Sequence, residues 1–366
     1  MKSSDVIIIG AGIIGLSLGI ELRKKGLSVL IVERGEPGRE ASYAAAGMLA
    51  DAGDEFPAPL KPLARESARM YPEFVHEIED ESGLKVDLRD QGTIILSWHG
   101  EFPEGAEQLS SQRLKSLEPS IEGSPLLPQS GSNGAPISRP SASEICAGYL
   151  HERSVDPRAL VAAALRAARH REVDLSSGAE VKSLLVEAGR VVGVQTDKAK
   201  YAAQTVVNCA GAWAGSIAPF EVPVKPIKGQ MLAMIEAPRL QHVIRSEKVY
   251  LVPRSDGRLL IGSTLEDVGY NKQTDVSTLH RLFDDAAEVV PGIAESRRHE
   301  AWAGLRPGTA DELPILGETS ISGYFISAGH YRDGILLASI TAALMSDVVT
   351  GRNLSFDLSA FSANRF

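Results

Sequence analysis

The sequence predicts an α/β protein whose parallel-sheet half is split by an inserted, β-rich half. Three observations predict it. The chain opens on an apolar strand, a glycine turn and a helix. Buried strands of the same kind return only about 170 residues later. Between them lies a block of short β segments.

Residues 6–9, all Val or Ile, form the continuous apolar run of a strand covered on both faces. Gly10 permits the tight turn that follows. Gly12 lets backbone approach a pyrophosphate, and Gly15 lets the helix pack on the strand. Ile14, Leu18 and Leu22 share one helical face, and Lys24, Lys25 and Gly26 end the helix. Its N-terminus offers N–H groups and a positive dipole end to phosphates. Residues 29–32 make the next strand, and Glu33 at its end can accept hydrogen bonds from ribose hydroxyls. This is a Rossmann-like βαβ unit for an ADP-containing cofactor. A secretory signal is the competing reading of the apolar N-terminus. Asp5, the glycine spacing and the lack of a small-residue cleavage pattern argue against it.

Leu60–Ser82 reads as a charge-rich helix, with the acid cluster at 77–81 on a solvated face. Residues 92–98 read as a strand. The Gly-, Ser- and Pro-rich stretch 123–140 reads as an exposed loop or a boundary. Asp156 suits an N-cap and Pro157 a first helical position, opening a helix over 158–170. Strands follow at 173–175, 179–186 and 191–196, the last two joined at Gly189-Arg190. Another buried strand at 205–209 runs into a turn containing Gly211. Residues 230–235, 249–253 and 258–261 are short β segments. A helix at 278–290, a strand at 323–327 and a helix at 334–350 complete the chain. Residues 1–82, 143–215 and 300–366 are assigned to the nucleotide-binding domain. Residues 83–142 and 216–299 are assigned to the substrate domain, a mixed or antiparallel sheet.

Composition narrows the function. Of 366 residues, 43% are hydrophobic and 23% charged, an ordinary globular balance. A net charge of −9 disfavours nucleic acid, which wants a basic face. No stretch is apolar for long enough to span a membrane. Cys146 and Cys209 are too few for a disulfide framework and show no metal-type spacing, so no metal is expected and a reducing cytoplasm fits.

A second constellation lies near the C-terminus. Trp302, Gly304, Arg306, Pro307, Gly308 and Thr309 are followed by Gly329, His330, Tyr331, Arg332, Asp333, Gly334, Ile335 and Leu336. The second block is again a strand, a glycine turn and a helix start. Arginines beside such a turn suit a carboxylate substrate, because the guanidinium fork meets both oxygens and stays charged. Together with Glu33, residues 42–49 and residues 249–254, these blocks resemble the flavin-dependent glycine oxidases of the D-amino acid oxidase superfamily, some of which serve thiamine biosynthesis. The resemblance runs from about residue 5 to residue 350.

The resemblance implies non-covalent FAD. It implies FAD contacts at Gly10, Gly12, Ile13, Ile14, Gly15, Glu33, Arg34, Ala41, Ser42, Ala46, Gly47 and Met48. It adds Val181 beside the adenine, Gly211, and the stretch His330, Tyr331, Arg332, Asp333, Gly334, Ile335 and Leu336 around the flavin. Arg306, Arg332 and Tyr250 match substrate-binding positions. Lys248 stands where a histidine is expected, Leu265 where some relatives have methionine, and Asp333 where asparagine is frequent.

The implied activity is oxidation of glycine, sarcosine or small D-amino acids by hydride transfer to flavin N5, with oxygen yielding hydrogen peroxide. No side chain serves as a catalytic base. A dehydrogenase passing electrons to another acceptor is the alternative. A homo-oligomer, tetramer or dimer, is expected from the same resemblance. Trp213 and Trp302 read as packing residues, Cys209 as core, and His330 as a structural residue beside the flavin.

Overall fold

The structure, a computed structural model, describes residues 3–51, 56–126 and 145–366. The Val6–Ile9 strand lies between Val29–Glu33 and Thr205–Asn208, parallel to both. Asp174–Ser177 and Tyr324–Ala328 extend the sheet in parallel on either side, and Ile315–Glu318 closes one edge antiparallel. Alternation along the strands sends side chains to two faces. Ile8, Ile31 and Val207 meet the helices Ile13–Lys24, Leu60–Ser82, Pro157–His170 and Ala338–Thr350. Ile7, Ile9, Leu30, Val32 and Val206 meet a small sheet of Val181–Glu187, Arg190–Thr196 and Lys200–Ala202. Asp156 caps its helix by accepting from the N–H groups of Arg158 and Ala159, with Pro157 in the first turn.

The second half is an eight-stranded sheet. Arg297–Gly308 pairs with Lys225–Ile235 along its length, and Leu259–Gly262, Tyr250–Pro253, Val243–Arg245, Thr93–Ser97, Cys146–Leu150 and Glu107–Leu109 follow in order. One face, with Leu232, Met234, Leu251 and Ile261, packs on the helix Val276–Val289. The other face, with Met231, Ala233, Val252 and Leu260, meets Ala46 from the nucleotide-binding half. The functional cleft opens on that second face.

Several expectations need correction. Cys146–Leu150 and Arg297–Gly308 belong to the eight-stranded sheet, so the boundaries at 143 and 300 fall too early. Strand partners are chosen by long-range pairing, which local pattern does not reveal. The last helix begins at Ala338 rather than 334, because residues 334–337 form hydrogen-bonded turns first. Of the 123–140 stretch, residues 127–140 lie outside the described residues, and Leu126 is buried rather than exposed.

The 77–81 acid cluster is a paired seam, not a solvated face. Glu77 meets Lys24, Glu81 meets Arg171, and Glu79 accepts from the Val86 N–H at 2.7 Å and from Lys85 at 2.8 Å. Such partly exposed pairs contribute about 0–1 kcal/mol each. A fully buried Ile of the central sheet contributes about 1.5–3 kcal/mol. The apolar sandwich, with Ile7, Ile8 and Ile31 wholly buried, therefore dominates stability.

Gly15 sits where the first helix crosses the first strand, and a Cβ there would lie 2.1 Å from the Gly10 carbonyl oxygen. Gly15→Ala is expected to lower the unfolding free energy by about 1–3 kcal/mol through overpacking. Urea melts of the two apoproteins check this; an unchanged midpoint would contradict the contact.

Candidate active site

A cavity of about 520 Å³ lies between the carboxyl edge of the parallel sheet and the open face of the eight-stranded sheet. Its volume falls within the roughly 300–1,000 Å³ usual for small-molecule sites. One wall carries Gly10, Gly12, Ile13, Ile14, Glu33, Arg34, Val181 and Gly211. Residues Ala41, Ser42, Ala46, Gly47 and Met48 line its middle, with His330, Tyr331, Arg332, Asp333, Gly334 and Ile335. Tyr250 and Arg306 line the opposite wall. Two residues expected to touch a cofactor do not reach the cavity. Gly15 serves helix packing, and Leu336 turns into the core, where its carbonyl accepts from Ser67 Oγ at 2.6 Å.

The nucleotide wall is preorganised. Gly10 has a φ of +101°, and a Cβ there would meet the Cys209 carbonyl oxygen at 2.6 Å, so only glycine fits. Gly12 has no side chain to cap the first helix, and at its N-terminus the Ile13 N–H donates to Ser42 Oγ at 3.1 Å, both residues lining the cavity. Both Glu33 oxygens are held by backbone: Oε2 accepts from Ala11 N–H and Oε1 from Gly35 N–H, each at 2.8 Å. The Arg34 guanidinium lies 3.5 Å over Trp213, and Trp213 stacks on Tyr270 at 5.5 Å. Trp213 is therefore part of the cavity wall, which its expected packing role missed.

The opposite wall owes its shape to glycines within strands. A Cβ on Gly229 would sit 2.3 Å from Nη1 of Arg306, and one on Gly262 would sit 2.7 Å from the Tyr250 ring. Both side chains therefore lie against bare backbone. Arg306 donates to Ser263 Oγ at 2.6 Å and to the Thr264 carbonyl at 3.1 Å. Sequence reasoning missed Ser263, Thr264, Gly229 and Gly262. Glycine inside a strand is the signal that could have found the last two.

Charge separates the arginines. Arg34 pairs with Glu40 at 2.8 Å, Arg39 with Glu36 at 3.3 Å, and Arg245 with Glu152 at 3.3 Å. Lys248 pairs with Glu288 at 2.9 Å and Arg332 with Glu312 at 3.7 Å. The partners of Arg306 among the described residues are neutral oxygens. Among the described residues of the cavity, Arg306 is the cation without a carboxylate partner.

Neither buried titratable side chain of the cavity is tuned as a base. Burial pushes the His330 imidazole down to about 4, while Nε2 meets Thr341 Oγ1 at 3.2 Å. Burial pushes the Cys209 thiol up to about 12. Both are neutral at ordinary pH.

The model of the FAD dependent oxidoreductase family matches residues 5–348. The chain belongs to this flavoenzyme family. The oxidoreductase is similar to the crystal structure of glycine oxidase from Geobacillus kaustophilus, with a TM-score of 0.88, 31% identity and all of both chains covered. It is 33% identical over 378 residues to a bifunctional ThiO/ThiG protein of Synechocystis. That match takes in all of this chain but 54% of the relative, so the chain spans about half the length of the ThiO/ThiG proteins it matches. It is also 30% identical over 421 residues to the hydrogen cyanide synthase subunit HcnC of Pseudomonas aeruginosa, covering all of this chain and 97% of that one. The residues present fit FAD: a glycine turn that a Cβ would fill, a helix N-terminus and a fixed carboxylate lie along one wall. Among the described residues no helix is long and apolar enough to cross a membrane.

The buried neutral imidazole makes stability depend on pH. Its native pKa lies below the unfolded value of 6.5, so the unfolded chain binds the extra proton first. The contribution is fully present above pH 6.5 and is lost as pH falls toward about 4, on the order of 3 kcal/mol. His330→Gln is expected to flatten that part of the profile. Urea unfolding of both proteins at several pH values across this window checks it; parallel curves would contradict it.

Proposed function

We propose that the protein oxidatively deaminates glycine and other small amino acids, including sarcosine and small D-amino acids. The products are the 2-oxo acid, ammonia or the amine, and hydrogen peroxide. For glycine, one oxygen and one water are consumed, and glyoxylate, ammonia and peroxide are formed. The observation that carries this reading is the uncompensated charge of Arg306 in a cavity where the neighbouring cations are paired. A carboxylate is the ligand chemistry that a guanidinium fork on a fixed strand suits best.

Bound FAD would supply the two-electron acceptor. The chain's own residues bind and orient. Arg306, braced by Ser263 and Thr264, fixes the carboxylate. Tyr250, held against Gly262 with its hydroxyl 3.7 Å from Met231 Sδ, flanks the same end. Met231 and Met48 add apolar wall that limits water. Arg332 lines the same cavity, but its pairing with Glu312 makes it the weaker anchor. His330 is held neutral and buried, so a structural role suits it. With no tuned base in Cys209 or His330, the substrate amine must arrive neutral, and the rate should rise with pH.

The second reading is a D-amino acid or N-methyl amino acid dehydrogenase that uses another electron acceptor, and similarity to a protein of another printed activity, HcnC, keeps it open. Peroxide formation under air with glycine, sarcosine and D-alanine, set beside dye reduction without oxygen, separates the two.

Arg306→Met is expected to raise KM by roughly 30-fold or more, from the ~2–5 kcal/mol cost of removing one partner of a desolvated charge pair. Flavin content should be unchanged. Steady-state kinetics and the absorbance ratio of purified variants measure both; normal KM in the variant would remove Arg306 from the site.

A further inference from the structure

Residues 41–48 line the middle of the cavity and are held from three directions. The Tyr43 carbonyl accepts from Arg158 Nε at 3.3 Å, and the Gly47 carbonyl from Val155 N–H at 2.8 Å, both within the nucleotide-binding half. The Ala44 carbonyl accepts from Trp302 Nε1 at 3.1 Å, and Trp302 shares its strand with Arg306. The Ala46 carbonyl accepts from Arg254 Nη2, and Arg254 directly follows the strand that carries Tyr250. The two strands that carry the substrate-side residues thus also grip the segment facing the cofactor.

Arg254 is the unusual member. It is 4% exposed, and its Nε and Nη1 have no hydrogen-bond partner among the described residues. Burial pushes its guanidinium down to about 10, and Asp156 and Asp87 offset this only from a distance. A buried cation with donors left unpaired is costly to the fold. A side chain that existed only to stabilise the fold would be poorly chosen here.

We propose that Arg254 is a positioning residue for the flavin: by holding the Ala46 carbonyl from the Tyr250 strand, it fixes residues 41–48 in the conformation that receives the cofactor. The proposal rests on family membership and on this geometry, and it does not depend on which amino acid is oxidised. Arg158 and Trp302 fix the start of the segment; Arg254 fixes its exit, next to Gly47 and Met48.

The test is a titration of apoprotein with FAD, read by flavin fluorescence quenching and the visible absorption band, beside thermal melts of the apoproteins. Arg254→Met removes the donor and the charge at similar volume. It should weaken FAD binding roughly tenfold or more, the scale of one lost charge-assisted hydrogen bond, and alter the band shape of the bound flavin. The apoprotein should melt at an equal or higher temperature, because an isolated buried charge is gone. Arg254→Lys, which keeps a donor for Ala46, should recover most of the affinity. Unchanged affinity and band shape in Arg254→Met would overturn the proposal. So would a joint fall in apoprotein stability and FAD affinity with no recovery by lysine. Should Arg254→Met fail to fold, Trp302→Phe removes the neighbouring donor while leaving a smaller aromatic ring in its place. It should weaken FAD binding by roughly threefold or more, and unchanged binding there counts against the clamp.

Discussion

The guanidinium of Arg306 lies against a strand that offers it no side chain. A Cβ on Gly229 would fall 2.3 Å from its Nη1. That bare stretch of backbone lets the charge reach Ser263 Oγ and the Thr264 carbonyl, which orient it without neutralising it. The rest of the site is arranged around this one unbalanced charge. Each neighbouring cation of the wall, Lys248 and Arg332 among them, already has a carboxylate. Under the proposed function, an incoming carboxylate would meet in Arg306 a partner that stays protonated.

The orienting residues are themselves held from behind the sheet. Lys228 and Gln230 point to the face opposite Gly229 and reach Glu266, which also accepts from the Thr264 hydroxyl. Burial of this group works against ionisation of Glu266, yet its hydrogen bonds and Lys228 hold the carboxyl below its usual range. Gln230 further accepts from the Asp275 N–H at 2.7 Å, tying the turn to the start of the helix Val276–Val289. Farther along the same segment, Tyr270 stacks on Trp213 and Lys272 meets Glu40 at 2.9 Å. One stretch of chain therefore begins at the substrate-side arginine and ends at the nucleotide wall. Rigid support of this kind is what alignment chemistry requires, since the cofactor supplies the reactivity and the protein supplies geometry.

Much of the nucleotide-binding half was legible because its signals are local. Gly10, Gly12 and Gly15 act within one turn, and Asp156 and Pro157 within another. Of the site residues named from family resemblance, all but Gly15 and Leu336 line one cavity. What was misread is non-local. Residues 300–308 were assigned to the nucleotide-binding domain, although the strand Arg297–Gly308 pairs with Lys225–Ile235, which is distant in sequence. Glu77 and Glu81 read as solvated, because Lys24 and Arg171 reach them only after helices pack. Trp213 read as packing, because its stacking partners Arg34 and Tyr270 come from distant parts of the chain.

By itself the sequence determined the cofactor class. Strand, glycine turn, helix and acid are contiguous between Val6 and Glu33, and their geometry follows from backbone rules that hold over a few residues. The tertiary structure alone decided which arginine is available to a ligand. Arg306 and Arg332 look alike in the chain, but availability depends on whether a carboxylate stands within reach, and reach is set by folding. Glu312 is brought to Arg332, while the partners of Arg306 among the described residues are a hydroxyl and a carbonyl.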